Sequence, residues 1–212
     1  NFTLRSVCFT TPDQGWAVGN DGKILKYENS TWELAAAVTN QGLKSVFFAD
    51  ESNGWVVGDE GTILFYDGDN WMNQSSPTSS YLSSVHFVND KRGWAAGNGV
   101  LLYYDGYEWT PQYYMPFPFH IYSVHFNSET NGFIVGKYGN IMKYNGTNWT
   151  QQNYNHGVSI RSLSMAGDYY IWGFQSSSEM LFYDGFDWSV LNFSNNGRTI
   201  YDSHFLNEST GW

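Results

Sequence analysis

Short apolar runs alternate with polar turns along this chain, and the alternation returns with a fixed step. The string S-V-x-F recurs at Ser6-Val7, Ser45-Val46, Ser84-Val85 and Ser123-Val124, each 39 residues after the last. Ser162-Leu163 continues the series, and Asp202-Ser203-His204-Phe205 begins a sixth copy one residue late. A Gly–aromatic pair follows each start, at Gly15-Trp16, Gly54-Trp55, Gly93-Trp94, Gly132-Phe133 and Gly211-Trp212. In copy five that pair becomes Tyr170-Ile171. An apolar run then ends in tyrosine, at Tyr27, Tyr66, Tyr104, Tyr144 and Tyr183. A tryptophan stands five residues after each tyrosine, at Trp32, Trp71, Trp109, Trp149 and Trp188.

Each copy predicts four short strands, A to D. Strand A is L-x-S-V-x-F, strand B the Gly-Trp segment, strand C the run ending in tyrosine, and strand D carries the tryptophan. Asp67-Gly68, Asp105-Gly106, Asn145-Gly146 and Asp184-Gly185 separate C from D, and such pairs tolerate the positive φ of a two-residue hairpin turn. Val, Ile, Tyr, Phe and Trp fill the strands, as a packed pleated surface prefers. The pattern predicts an all-β fold, a β-propeller of four-stranded blades with five full blades and the start of a sixth. The blades fall at about 1–40, 41–80, 81–119, 120–158 and 159–199, with a partial blade at 200–212. A β-solenoid would use shorter repeats without antiparallel hairpins. The sixth copy stops inside strand B, which leaves an open edge. The 212 residues are therefore expected to form one propeller region of a longer chain, or to be completed by another chain.

The pattern L-x-S-V-x-F, then G-W-A-V-G, then I-L-x-Y-D-G-x-x-W, resembles the BNR-like propeller repeats of the photosystem II assembly-factor family and their secreted prokaryotic relatives. Copy one carries it as SVCFTTPDQGWAVGNDGKILKY and copy two as SVFFADESNGWVVGDEGTILFYDGDNW. The resemblance extends over all five copies and the fragment, and it implies the fold without a catalytic site. The Asp-box of sialidases is a looser match, since it places its tryptophan five residues after the aspartate, whereas Asp67 to Trp71 is four.

Composition narrows the chemistry. Of the 212 residues, 10 are Trp, 16 Tyr and 15 Phe, enough to build a large core. The net charge of −10 argues against a phosphate-binding nucleic-acid partner. No apolar run is long enough for a membrane-spanning helix, and a single cysteine excludes a disulfide scaffold. A sialidase-like glycosidase would need an arginine cluster and a tyrosine nucleophile. The four arginines are Arg5, Arg92, Arg161 and Arg198, and Arg5 and Arg161 share a variable strand-A position with Lys44, Ser83 and Tyr122. Asp59-Glu60 and Asp67/Asp69 fall in turns, where aspartate is favoured for turn chemistry alone. His86, His125 and His204 share a strand-A position with Cys8, Phe47 and Ser164, which reads as packing rather than a metal site. Cys8 itself reads as a small buried residue. No catalytic residue, metal or cofactor is expected.

The loops from D to the next A differ in every copy and should share a face with the B–C turns. This face carries Tyr113, Tyr114, Phe117, Phe119, Tyr138, Tyr154 and His156, aromatic groups suited to sugar stacking or a protein contact. Phe119 and its neighbours would serve equally as packing over the outer strand. Seven N-x-S/T sequons, at Asn1, Asn29, Asn73, Asn145, Asn148, Asn192 and Asn207, exceed the roughly three that composition supplies by chance. The sequence thus leads to an extracellular or cell-surface, N-glycosylated propeller that serves as a non-catalytic binding or structural module of a surface protein, adhesin or filament. Its expected partners are other subunits, copies of itself, or glycans. A glycan-binding lectin is the alternative, an intracellular assembly chaperone a third, and a sialidase-like glycosidase a last.

Overall fold

A computed structural model describes residues 3–35, 38–112, 119–152, 157–167, 170–175, 179–192, 202–207 and 210–211. They divide into two compact units, Asn1–Tyr113 and Tyr114–Trp212. The first unit holds three four-stranded antiparallel sheets. These are β1 (Leu4–Thr11), β2 (Gln14–Gly19), β3 (Ile24–Glu28), β4 (Thr31–Leu34); β5 (Leu43–Phe48), β6 (Gly54–Gly58), β7 (Ile63–Tyr66), β8 (Trp71–Asn73); and β9 (Leu82–Asn89), β10 (Arg92–Gly97), β11 (Leu101–Tyr104), β12 (Trp109–Pro111). The second unit holds two such sheets and a hairpin. They are β13 (Ile121–Ser128), β14 (Asn131–Gly136), β15 (Ile141–Tyr144), β16 (Trp149–Gln151); β17 (Ile160–Ala166), β18 (Tyr170–Gln175), β19 (Glu179–Tyr183), β20 (Trp188–Asn192); and β21 (Phe205–Asn207) with β22 (Thr210–Gly211). Each sheet keeps its strands in chain order.

Every landmark of the repeat has a physical task. The first strands of neighbouring sheets lie side by side, β1 with β5, β5 with β9, and β13 with β17. A first strand has one edge outside its own sheet, so some of its N–H groups need a partner from elsewhere. The serine of S-V-x-F supplies it. Ser6 Oγ accepts from Val46 N–H at 3.2 Å, Ser45 Oγ from Val85 N–H at 3.3 Å, and Ser123 Oγ from Leu163 N–H at 3.3 Å. Ser162 Oγ accepts likewise from Ser203 N–H at 3.2 Å. Ser45→Ala is expected to strand the Val85 N–H and to lower stability by roughly 1–2 kcal/mol in urea unfolding.

The aromatic landmarks form the core between sheets. Trp16 of β2 lies on Phe48, Tyr66 and Trp71 of the second sheet, with centroids 5.7, 4.8 and 5.4 Å away. Trp55 repeats the arrangement on Phe87, stacked at 3.7 Å and 16°. Phe133 repeats it on Tyr183 and Trp188. The glycine before the aromatic is required by contact, since a Cβ at Gly54 would lie 2.4 Å from the Phe48 ring. The tyrosine hydroxyls donate to loop carbonyls, Tyr66 to Gly68 at 2.6 Å, Tyr144 to Gly146 at 2.9 Å and Tyr183 to Gly185 at 2.8 Å.

Two sequence expectations need correction. In copy five the Gly–aromatic position is held by Ile171-Trp172, not Tyr170-Ile171. Trp172 pairs with Ser164 as Trp16 pairs with Cys8, at the same spacing along the chain. The chemistry compensates: Met165 stands where the other copies have phenylalanine, leaving room for Ile171 in place of glycine. The C–D turn of copies two to five is also a four-residue loop rather than a two-residue one, since Tyr66 pairs with Trp71. Asp67 Oδ1 accepts the N–H groups of Asp69 and Asn70 at 2.9 and 2.7 Å, which holds its carboxyl below the usual range. Asp105, Asn145 and Asp184 make the same pair of bonds. Only copy one uses two residues, Asn29 and Ser30, both at positive φ.

Candidate binding site

In each of the first four sheets the turn after the second strand meets the residue just before the first. Asn20, Asp59, Asn98 and Lys137 donate N–H to the carbonyls of Thr3, Gly42, Tyr81 and His120. This contact sets the strand-A entry and the B–C turn side by side, so side chains from both share one surface. In the first unit each strand-A cation finds a polar partner on the B–C turn. Arg5 Nε donates to Asn20 Oδ1 at 3.2 Å, and Lys44 pairs with Asp59 at 3.0 Å.

The second unit departs from that rule. Lys137 stands where Asp59 stands, and its ammonium lies 4.7 Å from the Tyr138 ring centre. A hydrogen bond to the Tyr138 hydroxyl raises the Lys137 ammonium above its ordinary value. Arg161, at the start of β17, holds its guanidinium 4.4 Å over the Tyr122 ring of β13. His120 lies against Tyr122 at 4.6 Å. Burial, with the charges of Lys137 and Arg161, pushes the His120 imidazole down, so it stays neutral near pH 7. Among the described residues the ion pairs are Lys26–Glu28 and Lys44–Asp59, so neither Lys137 nor Arg161 faces a carboxylate. Arg161 Nε is buried without a hydrogen-bond partner among them. Two cations backed by aromatic faces, with a buried donor unspent, have the chemistry to take a carboxylate.

Tyr138 is 65% exposed and adopts φ 63°. Asp21 and Glu60 fill the same turn position with φ 56° and 52°. A large aromatic side chain is uncommon in left-handed backbone, and such residues gather at functional positions. Its N–H donates to Ser159 Oγ at 3.4 Å.

Of the aromatic face expected from sequence, Phe119 and Tyr138 lie within the described residues. Phe119 lies against Gly136, where a Cβ would come within 2.8 Å of its ring. Tyr113, Tyr114, Phe117, Tyr154 and His156 lie outside the described residues. Lys137, Arg161, Tyr122 and His120 were absent from the sequence-derived site. Comparing turn residues copy by copy, Asn20, Asp59, Asn98 and Lys137, exposes the change of sign. Of the histidines, His86 packs on Phe47 at 4.6 Å, and burial pushes His125 down to about 4. Burial pushes the Cys8 thiol up. A separate cleft of about 270 Å³ lies at the outer strands of the second and third sheets, between Gln74, Pro77, Tyr107, Glu108 and Trp109.

No family model and no curated protein matches the sequence. Its five four-stranded antiparallel sheets have the form of β-propeller blades, and the solved structures it resembles bear this out. One is YCF48 bound to D1 peptide, at TM-score 0.71 and 16% identity, covering 90% of this chain and 67% of that one. Another is YCF48 from Cyanidioschyzon merolae, at TM-score 0.62 and 17% identity, covering 99% of this chain and 92% of that one. The likeness is one of fold, and it agrees with the photosystem II assembly-factor-like repeat read from the sequence.

Proposed function

We propose that this chain is a non-catalytic protein-binding module that takes an extended, carboxylate-bearing peptide at the Lys137–Arg161 surface. The observation that carries the reading is the pair of cations without a carboxylate partner in a chain of net charge −10. The YCF48 structure with a bound D1 peptide supports peptide binding by a propeller of this form. Tyr122 and Tyr138 would flank the peptide backbone, and Arg161 would take a carboxylate through its guanidinium. The test is fluorescence anisotropy with a labelled extended peptide rich in Asp and Glu, beside its Asn/Gln counterpart. Binding should favour the acidic peptide, weaken with salt, and fall at least about tenfold in Lys137→Glu/Arg161→Glu. Equal binding of both peptides, or an unchanged affinity in the double variant, contradicts the reading.

The module, in the same proposal, acts outside the cell and carries N-glycans. Exposure of Asn29, Asn73, Asn145, Asn148 and Asn192 supports this. Asn145 engages its Oδ1 in the loop and leaves Nδ2, the atom that carries such a glycan, unengaged among the described residues. Asn1 lies outside the described residues, as does the side chain of Asn207. Intact mass of the protein from its native source, before and after deglycosylation, is expected to differ by several glycans, and an unmodified mass contradicts it. A second reading, glycan binding, rests on Tyr107, 92% exposed beside Gln74 and Glu108 in the outer cleft. A glycan array with Tyr107→Ala as control decides it.

A further inference from the structure

The outer cleft between the second and third sheets holds an arrangement that the repeat itself does not require. Gln74 follows β8 and closes the end of its sheet with an N–H bond to the Ile63 carbonyl, as Ala35, Gln112 and Gln152 close theirs. Gln74 adds a second contact: its Oε1 accepts from the Trp109 indole N–H at 2.9 Å. The indoles of Trp71, Trp149 and Trp188, at the same strand-D position, have no such partner among the described residues, and Gln152 turns its amide to Thr150. With Oε1 committed to Trp109, Gln74 Nε2 is a donor held at the cleft and unengaged among the described residues. The C–D turn of the third sheet brings Tyr107 and Glu108 to the same lining. Asp105 Oδ1 accepts both of their N–H groups at 2.9 Å, so the tip is fixed before any ligand arrives. Tyr107 is 92% exposed, and the Glu108 carboxylate enters no ion pair among the described residues.

An amide donor, a carboxylate acceptor and an exposed ring together select their ligand. Groups that both donate and accept, such as hydroxyls on adjacent carbons, satisfy the amide and the carboxylate at once. The apolar C–H face of a sugar ring suits the Tyr107 ring. An ammonium or guanidinium would suit Glu108 and Tyr107 but would set donor against donor at Gln74. A carboxylated sugar would meet Glu108 with no cation to offset it. The lining holds no lysine or arginine; Lys91 lies against Gly106, and Arg92 donates to the Asp105 carbonyl. The volume of about 270 Å³ falls just below the ~300–1,000 Å³ of small-molecule sites, which suits one sugar ring rather than a long chain. We propose that this cleft takes the terminal neutral hexose of a glycan, its ring on Tyr107 and two adjacent hydroxyls between the Gln74 amide and the Glu108 carboxylate. The inference rests on the glycan reading of this cleft and narrows it to uncharged ends. It is independent of the Lys137–Arg161 surface.

Nitrogen-edited NMR of the whole chain tests it, with titrations of the methyl glycosides of glucose, mannose, galactose and N-acetylneuraminic acid. At least one hexoside is expected to bind with a Kd on the order of 1 mM. It should shift the backbone N–H signals of residues 106–108 and the Trp109 indole N–H, and the sialoside should shift none of them. Tyr107→Ala, Gln74→Ala and Glu108→Gln should each weaken hexoside binding roughly tenfold. Ala35 already stands at the Gln74 position in copy one, and Tyr107 and Glu108 are exposed, so these variants keep the fold. Sialoside binding as tight as hexoside binding overturns the inference and leaves the glycan reading standing. So does hexoside binding that Tyr107→Ala abolishes but Gln74→Ala and Glu108→Gln leave unchanged. If none of the four sugars shifts the cleft signals, the inference falls, and the glycan reading falls with it only if the glycan array is also silent.

Discussion

Trp55→Ala should destabilise the chain by about 3–5 kcal/mol, the cost of emptying a large aromatic site from a packed core. Trp55 is 1% exposed and lies flat on Phe87 at 3.7 Å, with its cross-strand neighbour Phe65 at 5.1 Å. Removing it opens the seam between the second and third sheets, so the loss combines missing apolar burial with a cavity that neighbouring strands cannot fill. Trp55→Phe should cost far less, about 1–2 kcal/mol. The indole N–H of Trp55 is buried with no partner among the described residues, so the substitution gives up no hydrogen bond there. Phe133 already serves at this position in copy four. Urea unfolding of both variants checks the pair. Similar losses for Ala and Phe would place the effect in the indole nitrogen rather than in the stack.

Acid should weaken the second unit through His125. Burial outweighs a favourable backbone hydrogen bond at Leu163 and, with the His204 charge, brings the imidazole down to about 4. In the unfolded chain the same group takes its proton near pH 6.5. Between those values the unfolded state binds more protons than the folded one, so stability falls as pH drops from about 6.5 and stops falling below about 4. His125 as a whole is only half-buried, so the loss from this residue is on the order of 2–3 kcal/mol. His125→Phe, which introduces the residue that copy two carries at Phe47, should remove most of that slope. Denaturation midpoints at pH 7, 5.5 and 4.5 measure it, and an equal slope in the variant would assign the acid response elsewhere.

The repeat made the fold legible because most landmarks do the same task from copy to copy. Serine closes a strand edge, glycine yields to a phenylalanine ring, and tyrosine holds a loop carbonyl. The misreading in copy five shows the limit of that logic. Phe→Met and Gly→Ile change together across one strand pair, and a motif search that expects Gly-Trp finds Tyr170-Ile171 instead of Ile171-Trp172. The turn residues failed in another way. Asp-Gly signals positive φ, but loop length is decided by Asp67 accepting two backbone N–H groups, which dipeptide preference does not encode. The binding surface was least legible. Lys137 and Arg161 are 24 positions apart and come together only because the B–C turn of one sheet lies beside the strand-A entry of the next. The exposed aromatic Tyr138 is legible by itself, whereas the cation Lys137 stands out only against Asn20, Asp59 and Asn98 of the other copies.

Hydrogen–deuterium exchange on the whole chain, with and without a saturating acidic peptide, tests the binding account most directly. The account predicts slowed exchange confined to residues 119–123, 136–140 and 158–162, abolished in Lys137→Glu/Arg161→Glu, with no change on β1–β4. Protection that centres on the outer cleft around Tyr107, or that persists in the double variant, would contradict it.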